Sequence, residues 1–246
     1  KSTGHQLWDF AGSKPTPLAF LATDVFGPIH TLGQDRWVQI APLYGQVSRL
    51  YRQKDAGFEQ IGEPFGSPNT SGNVSPDGRT MVVSSPSDKP TQLEGWDLTT
   101  DAPKRKWSVT IKDSLGGYSE RHVWFSADNR WFATQAKGEK DDGPWKLVLW
   151  RNTGAKPEVY ATIPIAWLVG LYSAALSPDG RYLAHTPTNP MEVVLLDLTG
   201  KEPREIAKFS DGAKIYGEFA YLAFHPDSKK LAVGSWAGVC LLDVAT

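Results

Sequence analysis

Residues 174–185 read Ala-Ala-Leu-Ser-Pro-Asp-Gly-Arg-Tyr-Leu-Ala-His, two short apolar runs separated by Ser177-Pro178-Asp179-Gly180. Each residue of that tetrapeptide suits a tight turn. Pro178 presets φ near −65°, Asp179 can accept from nearby backbone N–H groups, and Gly180 can leave the turn through the left-handed region. Apolar runs too short for a helix on either side of such a turn predict a β-hairpin.

The same pattern recurs at Ser75-Pro76-Asp77-Gly78, Ser126-Ala127-Asp128-Asn129 and His225-Pro226-Asp227-Ser228. The aspartates at 77, 128, 179 and 227 stand 51, 51 and 48 residues apart, and a degenerate copy, Gly33-Gln34-Asp35-Arg36, lies 42 residues before the first. Apolar runs flank the turns, among them Val123-Trp124-Phe125, Leu222-Ala223-Phe224, Thr80 to Val83 and Leu231-Ala232-Val233. A period near 50 residues is that of a β-propeller blade and exceeds most helical repeats.

A second marker follows in each unit: Trp8-Asp9, Tyr51-Arg52, Trp96-Asp97, Trp150-Arg151, Leu196-Asp197 and Leu242-Asp243. Each closes an alternating stretch such as Lys146 to Trp150, and most are followed by a turn and another strand, as in Arg204 to Phe209. The unit is therefore four antiparallel strands. The fold class expected is all-β, a single domain over 1–246 with approximate units 1–22 (partial), 23–63, 64–113, 114–164, 165–210 and 211–246 (partial).

The repeats resemble WD40 repeats of a divergent, bacterial type, on the strand-ending Trp8-Asp9 and Trp96-Asp97 and the Ser-Pro-Asp-Gly turns. The family's Gly-His before the first strand is missing, as is its Asp before the third strand, where the last unit reads Ser235-Trp236-Ala237-Gly238. The resemblance implies a WD40-like β-propeller acting as a protein-interaction or ligand-sensing platform, a module of a larger protein with a protein partner or attached effector domain. The alternative is a propeller domain or subunit that gates or supports a hydrolase or other enzyme whose active site lies elsewhere. The strand count leaves two closures open. Either the N-terminal fourth strand, Pro17 to Ala22, pairs with the last unit in a five-bladed ring, or further chain or another subunit completes a larger one.

With 26 basic and 27 acidic residues among 246, the net charge of −1 provides no global field for nucleic acid or anionic membrane. The cluster Lys104-Arg105-Lys106 reads as a solvated strand edge. No apolar run approaches the length of a membrane span, Lys1 to Phe10 lack a signal-peptide core, and Cys240 is the single cysteine. A cytoplasmic location is expected on that basis.

No catalytic, cofactor-binding or metal site is expected. His5, His30, His122, His185 and His225 stand at no metal-ligand spacing. Gly234-Ser235-Trp236-Ala237-Gly238 has the wrong spacing for a nucleophile elbow, and Glu139 to Gly143 lacks the alternating oxygen ligands of a calcium loop. The reading is accordingly that the chain is not an enzyme. Trp8, Trp96, Trp124, Trp131 and Trp150 fall on strands as packing residues. Tyr44, Tyr118, Trp145, Trp167, Tyr216 and Trp236 fall in or near connections and form a candidate interaction rim, since Tyr and Trp are favoured interface anchors.

Overall fold

The structure is a computed structural model that describes residues 4–9, 14–22, 27–33, 35–41, 45–84, 91–111, 123–137, 145–165, 174–187, 192–210, 221–235 and 238–244. It divides into two compact units, residues 1–86 with 93–108, and residues 87–92 with 109–246.

The first unit holds β1 (Gly4–Asp9), β2 (Thr16–Ala22), β3 (Ile29–Thr31), β4 (Arg36–Gln39), β5 (Ser48–Lys54), β6 (Gly57–Phe65), β7 (Ser71–Val74) and β8 (Thr80–Ser84), with most of β9 (Thr91–Asp97) and β10 (Lys104–Ile111). Strands β7 to β10 form one four-stranded sheet in chain order, and β3 to β6 form another. The hairpin β1–β2 joins the latter through a single parallel bridge, Phe20 to Gly57. Within this unit β2 thus pairs with β1 and β6.

The second unit holds three sheets, each antiparallel and in chain order. They are β11 (Val123–Phe125), β12 (Trp131–Lys137), β13 (Trp145–Arg151) and β14 (Glu158–Ile165); β15 (Ala174–Leu176), β16 (Tyr182–His185), β17 (Val193–Asp197) and β18 (Arg204–Phe209); and β19 (Tyr221–Phe224), β20 (Lys230–Ser235) and β21 (Gly238–Asp243). All five residues of β17 are buried, as expected of a strand covered on both faces, whereas β18 at its edge has no buried residue. Leu183 and Leu196 pack towards Trp131, Ala133 and Leu149, and Ala184 and Leu195 pack towards Leu231 and Val233. Successive residues thus serve opposite inter-sheet cores.

The repeated turns take one form. Ser75, Ser126 and Ser177 each donate a hydroxyl hydrogen bond of 2.6 Å to the aspartate two residues on. Each serine oxygen in turn accepts from the backbone N–H five residues ahead, at 2.8–3.1 Å. His225 replaces the serine in the last unit, its Nδ1 2.8 Å from Asp227. The fourth turn position is left-handed throughout, with φ of 69° at Gly78, 59° at Asn129, 65° at Gly180 and 62° at Ser228. This is why Gly, and otherwise a small polar residue, stands there.

Neighbouring turns also interlock. A Cβ on Gly180 would lie 2.5 Å from the Asp128 carboxylate. Arg130 donates to the Asp179 carbonyl at 2.7 Å, and the Asp179 N–H donates to Ser228 at 3.1 Å. In the first unit Gly78 sits equally close to the Leu32 carbonyl, and Arg36 reaches both the Thr100 carbonyl and Asp101.

Candidate functional site

Sequential antiparallel order gives each four-stranded sheet two different ends. Short turns join the first strand to the second and the third to the fourth at one end. The longer connections, from the second strand to the third and from the fourth to the next sheet, leave from the other. Of the six expected rim residues, Trp145 is described: it opens β13 at the connection end, half-buried against the core formed by Trp131, Leu147 and Ile165. Tyr44, Tyr118, Trp167, Tyr216 and Trp236 lie outside the described residues.

Polar side chains are buried at or near the connection end of the second strands. Thr134-Gln135 and His185-Thr186 occupy the same two positions in successive units, 51 residues apart. Gln135 shares a face with Trp131 and Ala133 and so points towards the sheet β15–β18. His185 shares a face with Leu183, lies opposite Val194, and so points back towards the sheet β11–β14. Both belong to one inter-sheet core. Gln135 is 7% exposed and His185 3%, yet Gln135 Nε2 and His185 Nδ1 have no hydrogen-bond partner among the described residues. Burial pushes the His185 imidazole down to about 4, against a smaller opposing pull from the Thr186 backbone, so the ring is neutral at pH 7. A neutral imidazole nitrogen that can accept and an amide that can donate together suit a ligand hydroxyl or a water molecule.

Several other buried polar groups are paired, although Thr186 Oγ1 also lacks a partner among the described residues. The Trp150 indole donates to Thr134 at 2.9 Å, and in the first unit Tyr51 donates to Gln39, which also meets His5 at 3.2 Å. Glu94, 3% exposed, accepts from Arg105, Trp96 and Ser67. Arg105, expected on a solvated edge, therefore reaches back to a buried carboxylate. Sequence reasoning missed Gln135 and His185, although the recurrence of the polar pairs Thr134-Gln135 and His185-Thr186 at a 51-residue spacing inside apolar strands was a signal. Among the described residues no three His, Cys, Asp or Glu side chains converge as a metal site. No helix among them is long and apolar enough to cross a membrane.

No family model matches the chain, and no curated protein matches it significantly. Solved structures do. A candidate 6-phosphogluconolactonase from Bacteroides uniformis aligns over 98% of this chain and 76% of its own, at 14% identity and a TM-score of 0.63. The periplasmic gluconolactonase of Pseudomonas aeruginosa aligns over 94% and 72%, at 17% identity and 0.59. The Dos1 propeller aligns over 88% and 55%, at 16% identity and 0.60. These likenesses correct the expectation that the chain is not an enzyme. Structures of the same fold include proteins named as lactonases, so the lack of a familiar catalytic motif does not argue against catalysis. At these identities the likeness shows the fold: the chain is an all-β protein of the β-propeller class, with several four-stranded antiparallel sheets.

Proposed function

We propose that this propeller binds a small polyhydroxylated ligand at the connection end of its sheets and hydrolyses a sugar-acid lactone there. One observation carries the reading: Gln135 Nε2 and His185 Nδ1, buried and without partners among the described residues, share one end of one inter-sheet core. The lactonases named among the solved propellers point to the substrate class.

In the proposed reaction water adds to the lactone carbonyl carbon and the ring ester C–O bond breaks. The released alkoxide oxygen takes a proton, and the product acid loses one to solvent at neutral pH. Gln135 donates to, and His185 accepts from, a substrate hydroxyl or the attacking water. Because its imidazole titrates near 4, His185 orients its partner rather than storing a proton at pH 7.

The test is proton release by the whole chain on glucono-1,5-lactone and its 6-phosphate at constant pH, with spontaneous hydrolysis subtracted. A saturable excess rate, with a raised KM in Gln135→Met and His185→Leu, is expected. A wild-type rate equal to the blank on both lactones overturns the hydrolytic reading.

Under the same proposal the units are of the WD40 type and the ring contains further blades. The Ser-x-Asp turn repeated three times, and the pairing of β2 with β6, support this. The protein partner or effector domain expected from the repeats would then act through the connection end.

A further inference from the structure

At the turn end of the second unit, opposite to Gln135 and His185, the sheets β11–β14 and β15–β18 border a cavity of about 450 Å³. That falls within the range of small-molecule sites. Arg130, Trp131, Arg151, Asn152, Leu198 and Thr199 line it. Cross-strand register places Arg151 opposite Trp131 on β12 and Glu158 on β14. Its guanidinium lies 5.4 Å from the Trp131 ring centre and 5.2 Å from that of Tyr160, and the two rings are themselves 4.7 Å apart. Two aromatic faces therefore hold the cation in place.

The donors around this cavity divide into spent and unspent. Arg130 is committed to the Asp128 carboxylate and the Asp179 carbonyl. The Thr199 hydroxyl is committed to Asp197, whose charge also meets Arg181 and Arg204. Arg151 makes no ion pair or hydrogen bond among the described residues, Glu158 included. Trp131, 6% exposed, has its indole N–H buried and without an acceptor among the described residues. An oriented guanidinium at a cavity, with no anionic partner among the described residues, calls for an acceptor that carries negative charge.

We infer that this cavity binds a small organic oxyanion, a carboxylate or phosphate monoester, with Arg151 as its cation. The site is separate from the proposed lactone site, and its test reads binding rather than turnover. Isothermal titration of the whole chain with benzoate and with phenyl phosphate should give saturable binding, whereas neutral benzamide should give none. Arg151→Gln removes the charge at an exposed position and should weaken binding by about tenfold or more. Trp131→Phe keeps a ring beside the guanidinium and should weaken it by less than Arg151→Gln does. Lys208→Gln, which removes a cation paired with Glu192 on the same sheet, should bind as wild type. Increasing salt should weaken the interaction. Equal affinity in wild type and Arg151→Gln, or no saturable binding of either anion, overturns the assignment.

Discussion

Replacing His185 by leucine should remove a pH dependence that the fold builds into this one ring. In the native chain burial lowers the imidazole from 6.5 to about 4, so the folded state tolerates the neutral ring and the unfolded chain takes up the proton first. The sign follows directly. The neutral-ring contribution is fully present above pH 6.5 and is lost as pH falls from 6.5 towards 4. At roughly 1.4 kcal/mol per decade, stability drops by about 2 kcal/mol between pH 7 and pH 5, and by about 3 kcal/mol by pH 4. Carboxylates with lowered pKa also lose stability in acid. Asp97 and Asp197, each held down mainly by the hydroxyl of the threonine two residues on, are examples. They are common to both proteins, so the difference between wild type and variant isolates the ring. Leucine fills a similar volume and leaves no unpaired nitrogen, so the variant should fold at pH 7. Urea unfolding followed by tryptophan fluorescence at pH 7 and pH 5 should show the wild type losing about 2 kcal/mol more than His185→Leu. Equal losses in the two proteins, or an imidazole proton shift titrating near 6.5 in the native state, would refute the reasoning.

Asp179→Ala removes the acceptor for the Ser177 hydroxyl and the Arg181 N–H, and should cost about 2 kcal/mol at neutral pH by denaturant titration. Gly95 touches the Trp107 ring so closely that an added Cβ would sit 2.1 Å from it. Gly95→Ala should therefore destabilise by about 2 kcal/mol, and pairing it with Trp107→Leu should recover part of that loss; a neutral single variant would disprove the contact.

The repeating frame was legible because its signals are local. A serine, an aspartate two residues on and a left-handed fourth position lie within one tetrapeptide, and three of the four main copies close in the same way. The strand runs at Val123 to Phe125 and Arg204 to Phe209 coincide with β11 and β18 for the same reason. Glu94 was not legible. In Leu93-Glu94-Gly95-Trp96 it reads as a solvent-facing acid, yet its partners are Arg105 on the next strand and Ser67, 27 residues earlier. The facing of Gln135 and His185 was only half legible. The 51-residue period makes them near-equivalents, but the alternation that turns one forward and the other back shows only once two sheets are packed together. The stacking of Arg151 over Trp131 and Tyr160 depends on cross-strand register, which neither composition nor motif spacing supplies.

The interlocked turns have a consequence for how the second unit comes apart. Each sheet there meets its neighbours through one apolar core and through the turn bonds Arg130 to Asp179 and Asp179 to Ser228. Stability in such a row behaves like a chain of nearest-neighbour couplings. The sheet β15–β18 takes part in two couplings, while β19–β21 takes part in one within the unit. Within the unit β11–β14 likewise takes part in one, so fraying should begin at the two outer sheets and move inward, and amide hydrogen exchange should be slowest on β17, the strand buried along its whole length. In such a row the middle sheet acts as the keystone, and damage to its turn loosens both neighbours at once.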